Sequence, residues 1–258
     1  MADYIDIERA KTLPGLRIVL PPGRPNPWGE ALKGMCYLKK IPYTRVRKGM
    51  GHDAALQAWT SQSSAPVAVW NDERPRSTWI EQLYLVERIA PEPALIPTNI
   101  EDRVLMFGLS NEICGENGFG WSRRVMLLDA TLTNPQSDNA ARTFASYMGG
   151  KYGHNHDTAD EAPARVAQIL RLLDARLTQQ HAAGRKFFIG DHLSALDIYW
   201  STFAVLIQPL PPDLCPIPEP LRASFTNTNP VVAAAVTPAL LAHRDFIYRE
   251  HLELPMNL

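Results

Sequence analysis

The pattern of the chain changes at a proline-rich segment near residue 90, and this change limits the folds open to it. Residues 90–97 read Ala-Pro-Glu-Pro-Ala-Leu-Ile-Pro, with three prolines in eight positions, as is typical of a linker. Before the linker, short β-type runs alternate with helical stretches, at residues 16–20, 28–40, 43–47, 66–70 and 77–89. The sequence therefore predicts a small α/β domain over residues 1–90.

Beyond the linker the pattern is helical, which predicts an all-α domain over residues 98–258. Amphipathic stretches cover residues 99–132, 138–148, 160–182, 195–207 and 231–250, and a proline-rich loop spans residues 209–220. Gly115, Gly118 and Gly120 interrupt the first of them, and each glycine inside a helix costs about 1 kcal/mol. They indicate a kink, a break or a close approach to a ligand, and the alternative is a loop joining two helices.

Charge and the distribution of apolar residues argue against nucleic-acid binding, secretion and membrane insertion. Lys and Arg total 26 against 27 Asp and Glu, a net charge of −1, so we expect no binding to nucleic acid or to anionic lipid. The first twenty residues include Asp3, Asp6, Glu8, Arg9 and Lys11 and no long apolar core, which argues against a secretory signal. No apolar run approaches the roughly 20 residues that span a bilayer. We expect a soluble, cytoplasmic protein.

Metal and dithiol chemistry find no support in the spacing of residues. The three cysteines are far apart and form no Cys-x-x-Cys pair. His154, His156 and Asp157 lie together, but no further ligands follow at metal spacing, so a surface loop is the favoured interpretation and no metal site is expected.

The segment Phe187–Ile198 predicts the start of a buried helix. Ser194 and Asp197 have the spacing of a capping box, and Leu193 and Ile198 that of a hydrophobic staple. Together with the preceding Phe-Phe-Ile-Gly-Asp, this segment resembles the start of a core helix in the C-terminal domain of glutathione transferases.

Three pieces of the first ninety residues resemble the thioredoxin-like domain of the same family. Asn26-Pro27-Trp28-Gly29, followed by Leu38–Tyr43, resembles the opening of its Nu-class and nitrogen-regulator-like branch. His52 lies fourteen residues before Pro66, and Ser77 eleven residues after it. Ala65-Pro66-Val67 resembles the family's Val-Pro-Val turn. The resemblance implies a thioredoxin-like domain followed by a helical bundle, the glutathione transferase fold.

The resemblance also implies a glutathione site. Asn26 takes the position that contacts the glutathione thiol, although an Asn before Pro27 is also a common helix cap. Pro66 takes that of a cis-proline, and Ala65 that of the residue whose backbone pairs with the cysteinyl part. Ser77 would hold the γ-glutamyl carboxylate or simply cap a helix. His52 would reach the glycyl end or lie in an exposed loop.

Trp28 and Arg76 complete the predicted glutathione site. Arg76 departs from the family pattern, which has Glu or Asp immediately before the serine. An arginine there would repel the α-ammonium of the ligand unless it pairs with a carboxylate.

The second substrate would bind beside the glycine-rich stretch after the linker. Phe119, Trp121 and Arg124 would form an aromatic pocket with a cationic wall, near Cys114. The alternative is a loop with an aromatic residue in the core, in which Cys114 is an ordinary buried residue.

The resemblance implies a homodimeric enzyme with glutathione as co-substrate. It would stabilise the glutathione thiolate for attack on a hydrophobic or aromatic electrophile, as in detoxification. The alternative is a non-catalytic member of the fold that binds glutathione conjugates or a protein partner.

Overall fold

The computed structural model describes residues 3–49 and 51–258, which form two compact units. The first unit contains the described residues up to Ile96, together with Leu210–Ile217 and Ile247–Leu258. The second contains Pro97–Pro209 and Pro218–Phe246. Two segments from the helical half of the sequence thus belong to the first unit.

The first unit is a small mixed sheet with helices. Its elements are α1 (Ile7–Lys11), β1 (Leu16–Leu20), α2 (Pro27–Leu38), β2 (Tyr43–Arg47), α3 (Ala54–Thr60), β3 (Val67–Trp70) and α4 (Trp79–Ile89). The sheet order is β2-β1-β3, in which β1 pairs parallel with β2 and antiparallel with β3. The strands predicted at residues 16–20 and 43–47 are confirmed.

Branched apolar side chains of all three strands build the core of this unit. Val19, Val46 and Val67 are fully buried and pack with Ile7 of α1 and Leu56 of α3. Every residue of the central strand β1 is buried, as expected for a strand covered on both faces.

The helices α1 and α3 were not predicted from the sequence. They contain only five and seven residues, too few to show a clear helical period. Each begins at an aspartate whose carboxylate accepts a backbone hydrogen bond three residues later: Asp6 from Arg9, and Asp53 from Leu56.

The proline-rich linker is fixed by a buried lysine at the end of α2. The Lys39 side chain has no exposed surface, and its Nζ lies 2.6 Å from Glu87 Oε1. The same ammonium donates to the carbonyl oxygens of Ala90, Pro91 and Pro93 at 2.8, 3.3 and 2.7 Å. The linker therefore has a defined path within the first unit.

The C-terminal segment is also bonded into the first unit. Met256 donates its backbone N–H to Leu214 O at 2.7 Å. The buried Lys33 ammonium donates to Asn257 O at 2.7 Å and to both carboxylate oxygens of Glu30. Burial raises the pKa of Glu30, and the neighbouring Lys33 opposes that rise.

The second unit consists of helices. They are α5 (Ile100–Cys114), α6 (Phe119–Thr133), α7 (Asn139–Tyr152), α8 (His156–Ala182), α9 (Ala195–Phe203), α10 (Glu219–Phe225), α11 (Pro230–Ala233) and α12 (Pro238–His251), whose last turn enters the first unit. A 3-10 turn, Ala204–Leu206, follows α9. No helix in the described part of the chain is long and apolar enough to cross a bilayer.

Two helices predicted as continuous are divided in the structure. The stretch over residues 99–132 breaks between Cys114 and Phe119, where Gly115 and Gly118 lie in a loop. A Cβ on Gly118 would approach the Glu112 carbonyl oxygen to 2.7 Å, so the loop requires glycine there. The stretch over residues 231–250 breaks before Pro238, since proline has no N–H to continue a helix.

The predicted capping box at the start of α9 is present and is part of a buried cluster. The Asp197 Oδ2 atom accepts from the amide and the hydroxyl of Ser194, at 2.9 and 2.8 Å. Its Oδ1 atom accepts from Phe188 N at 2.9 Å and lies 2.9 Å from His243 Nε2. The Asp197 side chain has no exposed surface. One carboxylate thus joins α9, the preceding loop and α12.

Candidate functional site

The start of α2 and the turn before β3 meet in the first unit. Asn26 is the residue before the helix, and its Nδ2 donates to Ala65 O at 3.0 Å. The Ala65–Pro66 peptide is cis, as the family resemblance implied. If Gly29 were replaced by a larger residue, the added Cβ would lie 2.7 Å from Leu20 Cδ2. The start of α2 is therefore in close contact with the end of β1.

The Asn26 side chain has a different role from an ordinary helix cap. It makes no capping hydrogen bond to α2, although Asn is among the preferred cap residues. Its Oδ1 is buried and accepts no hydrogen bond within residues 3–49 and 51–258. Since an amide nitrogen carries two hydrogens, one remains after the bond to Ala65.

Gln82 on α4 holds the same turn from the other side, and sequence analysis did not find it. The side chain is 2% exposed, and its Nε2 donates to Pro66 O at 3.2 Å and to Arg76 O at 3.1 Å. The signal in the sequence was a polar residue among the apolar positions Trp79, Val86 and Ile89. Gln82 therefore fixes the spacing between the cis-proline turn and the chain before Ser77.

Ser77 lies one residue before the cap of α4. The cap is Thr78, whose hydroxyl accepts from Glu81 N at 3.3 Å, while the Glu81 carboxylate reaches back to Thr78 N. Partial burial raises the pKa of Glu81, but hydrogen bonds from Arg74 and Thr78 outweigh it and leave that pKa below its ordinary value. The helix predicted from Ser77 thus begins two residues later, and Ser77 is partly exposed.

Arg76 pairs with carboxylate within the first unit. Its Nη2 lies 2.6 Å from Glu73 Oε2, and its Nη1 donates to Arg74 O. Arg88 also bonds Glu73, and hydrogen bonds from Arg88 and Arg76 hold the pKa of Glu73 below its ordinary value. The Arg76 backbone pairs with Ala68 beside β3. Of the two alternatives in the sequence, pairing with a carboxylate is the one observed.

Trp28 and His52 lie at different places in the first unit. Trp28 is half-buried in the first turn of α2, directly after Asn26 and Pro27. His52 is exposed just before Asp53, the cap of α3. An exposed loop was the alternative given for this histidine.

The four residues predicted for a second substrate all lie in the second unit. Cys114 is 3% exposed, and burial raises the pKa of its thiol well above the ordinary value. Phe119 is fully buried, with its ring edge-on to Trp200 at 5.8 Å. Both residues pack in the core, as the alternative interpretation of this stretch held.

Trp121 and Arg124 are more accessible than Cys114 and Phe119. The Trp121 Nε1 donates to Tyr152 O at 3.0 Å, and its ring packs edge-on to Tyr152 at 4.6 Å. Arg124 Nε is buried and bonds to nothing in the part of the chain that the structure describes. Of the four predicted residues, these two are the ones that are partly exposed.

The surface loop predicted around His154 is only partly present, because His156 and Asp157 form the first turn of α8. Both histidines have local partners. His154 Nε2 lies 3.1 Å from Asp129 Oδ1, and His156 is largely exposed beside Asp160. Across residues 3–49 and 51–258, no three His, Cys, Asp or Glu side chains gather as metal ligands would.

Comparison with known proteins gives matches at the level of structure. No protein-family model matches the sequence, and no curated protein does. Many solved structures do match.

Three glutathione transferases illustrate the likeness. One from Methylobacillus flagellatus, with glutathione bound, has a TM-score of 0.62 and 13% identity over 92% of this chain and 96% of that chain. One from Methylobacterium radiotolerans, in complex with glutathione sulfonate, has a TM-score of 0.59 and 15% identity over 94% and 97%. One from rice, in complex with glutathione, has a TM-score of 0.57 and 17% identity over 93% and 92%. With a cis-proline turn beside the start of α2 and a helical second unit, the chain has the glutathione transferase fold.

Proposed function

We propose that the chain is a glutathione transferase-like enzyme, of the branch that its Asn26-Pro27-Trp28-Gly29 loop resembles. It binds glutathione in the first unit and activates the thiol for attack on a hydrophobic or aromatic electrophile. The observation that carries this proposal is the hydrogen bond from Asn26 Nδ2 to Ala65 O. It joins two sequence pieces, 39 residues apart, that the resemblance assigns to the same ligand.

The chemistry required is stabilisation of a thiolate. A free thiol has a pKa of about 8.5, so only a few per cent is ionised at neutral pH. The second hydrogen of Asn26 Nδ2 can donate to the sulfur. The backbone amides in the first turn of α2 have no acceptor within the helix, and the positive end of its dipole favours an anion.

The other parts of glutathione would bind along the same cis-proline turn. The backbone of Ala65, before the cis-proline Pro66, would pair with the cysteinyl part. Ser77, just ahead of α4, would take the γ-glutamyl carboxylate, and Trp28 and His52 would contact other parts of the ligand. The bond from Arg76 to Glu73 offsets the charge that would otherwise repel the ligand's ammonium.

The second substrate would bind to residues of the second unit. Trp121 and Arg124 would contact the electrophile, with Cys114 and Phe119 packing behind them. A homodimer in the cytoplasm is proposed by analogy with the fold. The three cysteines are free and buried, which agrees with a reducing compartment.

Calorimetric titration with glutathione at neutral pH, in two buffers of different ionisation enthalpy, tests the proposal. The difference between the buffers counts the protons released on binding. We expect binding with proton release, because the site favours the thiolate. Absence of glutathione binding would refute the proposed function.

Replacing Asn26 separates its role in catalysis from its role in structure. We expect Asn26→Ala to lower turnover of an aryl halide by roughly 10-fold to 100-fold, in the range of lost transition-state donors. Asn26→Ser, which restores a hydroxyl donor, should recover part of that loss. Melting temperatures of both variants control for the lost bond to Ala65. Unchanged turnover in Asn26→Ala would remove the catalytic role.

A non-catalytic binding protein for glutathione conjugates is the second candidate. The observation that favours it is the geometry of Asn26, which commits one N–H to Ala65 and buries an acceptor, Oδ1. Such a residue is a weaker thiolate donor than a hydroxyl that rotates freely. Binding of glutathione or of an S-alkyl conjugate without proton release would favour this candidate.

A further inference from the structure

An open cavity lies in the first unit, at the opposite end of α2 from Asn26. Its volume is about 650 Å³, within the roughly 300–1,000 Å³ that small-molecule sites occupy. The last turn of α2, the start of β2, Asp3 and Glu253 form its walls. Because α2 has 12 residues, it separates the cavity from Asn26 by about 18 Å.

The cavity carries charges of both signs that are not paired with each other. Lys40 and Arg45 supply two cations, and Asp3 and Glu253 supply two anions. Within the described ranges 3–49 and 51–258, none of these four side chains forms an ion pair, although the rest of the first unit has several. Arg45 has one side-chain hydrogen bond, of 3.4 Å, to the Tyr43 hydroxyl.

Backbone hydrogen bonds hold the walls of the cavity in place. Ile5 donates to Arg45 O at 3.0 Å and accepts from Arg47 N at 2.9 Å, which ties the N-terminal segment to β2. The bond from Met256 N to Leu214 O fixes the segment that carries Glu253. The backbone segments that carry these charged side chains are therefore held in place.

Two tyrosines give the cavity an aromatic part. Tyr37 is 53% exposed at the end of α2. The Tyr43 ring lies under the Arg45 guanidinium, 5.7 Å from its centre. Burial raises the pKa of Tyr43 to about 12, so its hydroxyl remains protonated at neutral pH and can hydrogen-bond a ligand.

We propose that this cavity binds a small zwitterion of the aromatic α-amino acid class. Arg45 and Lys40 take the carboxylate, since a guanidinium matches a carboxylate with two parallel hydrogen bonds. Asp3 and Glu253 take the ammonium, and the ring packs beside Tyr37. A ligand with both charges satisfies both pairs at once, whereas an ion of one sign is attracted by one pair and repelled by the other.

Calorimetric titration of the full chain with L-phenylalanine tests the ligand class. Phenethylamine lacks the carboxylate and 3-phenylpropionate lacks the ammonium, so each loses one set of charge-assisted hydrogen bonds. We expect L-phenylalanine to bind and each analogue to bind at least about tenfold more weakly. Absence of L-phenylalanine binding at millimolar concentration, or equal binding of all three compounds, would overturn the proposal.

Variants locate the site within the first unit. We expect Arg45→Met and Glu253→Gln each to weaken L-phenylalanine binding by about tenfold. Arg47→Met removes the same charge from the same strand outside the cavity and should leave binding unchanged. If Arg45→Met lowers the melting temperature, Glu253→Gln still decides the outcome. Binding that survives both changes would refute the assignment.

Competition distinguishes the cavity from the proposed glutathione site. L-phenylalanine should bind with the same affinity in the presence and absence of saturating glutathione. Displacement by glutathione would show that the two ligands do not occupy separate sites and would overturn the proposal. The cavity proposal does not depend on glutathione binding, so a failure of the proposed function leaves this test intact.

Discussion

Replacing Asp197 by alanine removes the common acceptor of a buried cluster in the second unit. The carboxylate accepts from Phe188 N, Ser194 N and the Ser194 hydroxyl, and lies within hydrogen-bond distance of His243 Nε2. Asp197 and His243 are 0% and 2% exposed at their side chains, so water does not replace the lost acceptor. Donors that were bonded to a charged group therefore become unpaired inside the protein.

The magnitude follows from the number and kind of bonds lost. A hydrogen bond contributes about 1 kcal/mol net, and more when one partner is charged. Each buried donor left without an acceptor costs about 1–3 kcal/mol, so the loss of this shared acceptor should total about 3–5 kcal/mol. We expect Asp197→Ala to lower the free energy of unfolding within that range. Asp197→Asn keeps the shape and one oxygen, and should lose about half as much.

Urea unfolding followed by far-ultraviolet circular dichroism measures the loss, because the second unit supplies most of the helices. Asp191→Ala is the matched control: its carboxylate is 72% exposed and lies 3.5 Å from Arg185. An exposed pair of this kind contributes about 0–1 kcal/mol. If Asp197→Ala costs no more than Asp191→Ala, the reasoning that the buried cluster stabilises the unit is refuted.

Two further substitutions test the first unit. Lys39→Met should lower the free energy of unfolding of the first unit by about 3–5 kcal/mol, because Glu87 loses a buried partner. It should also speed proteolysis within the linker, whereas Lys40→Met, at the exposed neighbouring residue, should change proteolysis little. Asp53→Ala should cost about 1 kcal/mol at pH 7 through the lost cap of α3. Burial raises the pKa of Asp53, but hydrogen bonds from Leu56 and Gly49 lower it more, so the net pKa is depressed. The stabilisation is therefore present above the unfolded pKa of 3.8 and is lost as the pH falls through the lower folded pKa. The difference in melting temperature between the wild type and Asp53→Ala should therefore narrow in acid. A difference that stays constant with pH would contradict this.

Local signals in the sequence predicted much of the fold. The strands at residues 16–20 and 43–47 were predicted because Pro and Gly bound short β-type runs. The start of α9 was predicted from Ser194 and Asp197, whose capping box needs only nearby residues. The helices α1 and α3 were missed because tertiary packing on the sheet, rather than a helical period, selects them.

Long-range partners could not be predicted from spacing. The sequence marked Asn26 and Pro66 through a family resemblance, but nothing local showed that Asn26 would bond Ala65 instead of capping α2. Gln82 was missed because a single polar residue on an apolar face does not reveal which carbonyls it meets. The pairing of Arg76 with Glu73 is local, and a spacing of three residues between opposite charges could have suggested it.

The inclusion of Ile247–Leu258 in the first unit has a consequence for synthesis of the chain. Domains generally fold as the polypeptide leaves the ribosome, at roughly 5–20 residues per second. The sheet and α2 emerge first, yet the carbonyl of Asn257, which accepts from the Lys33 ammonium, emerges roughly ten to forty seconds later, after the whole helical unit. Until then, Lys33 on α2 lacks its bond to Asn257, so the nascent first unit cannot complete its packing before this late segment has emerged.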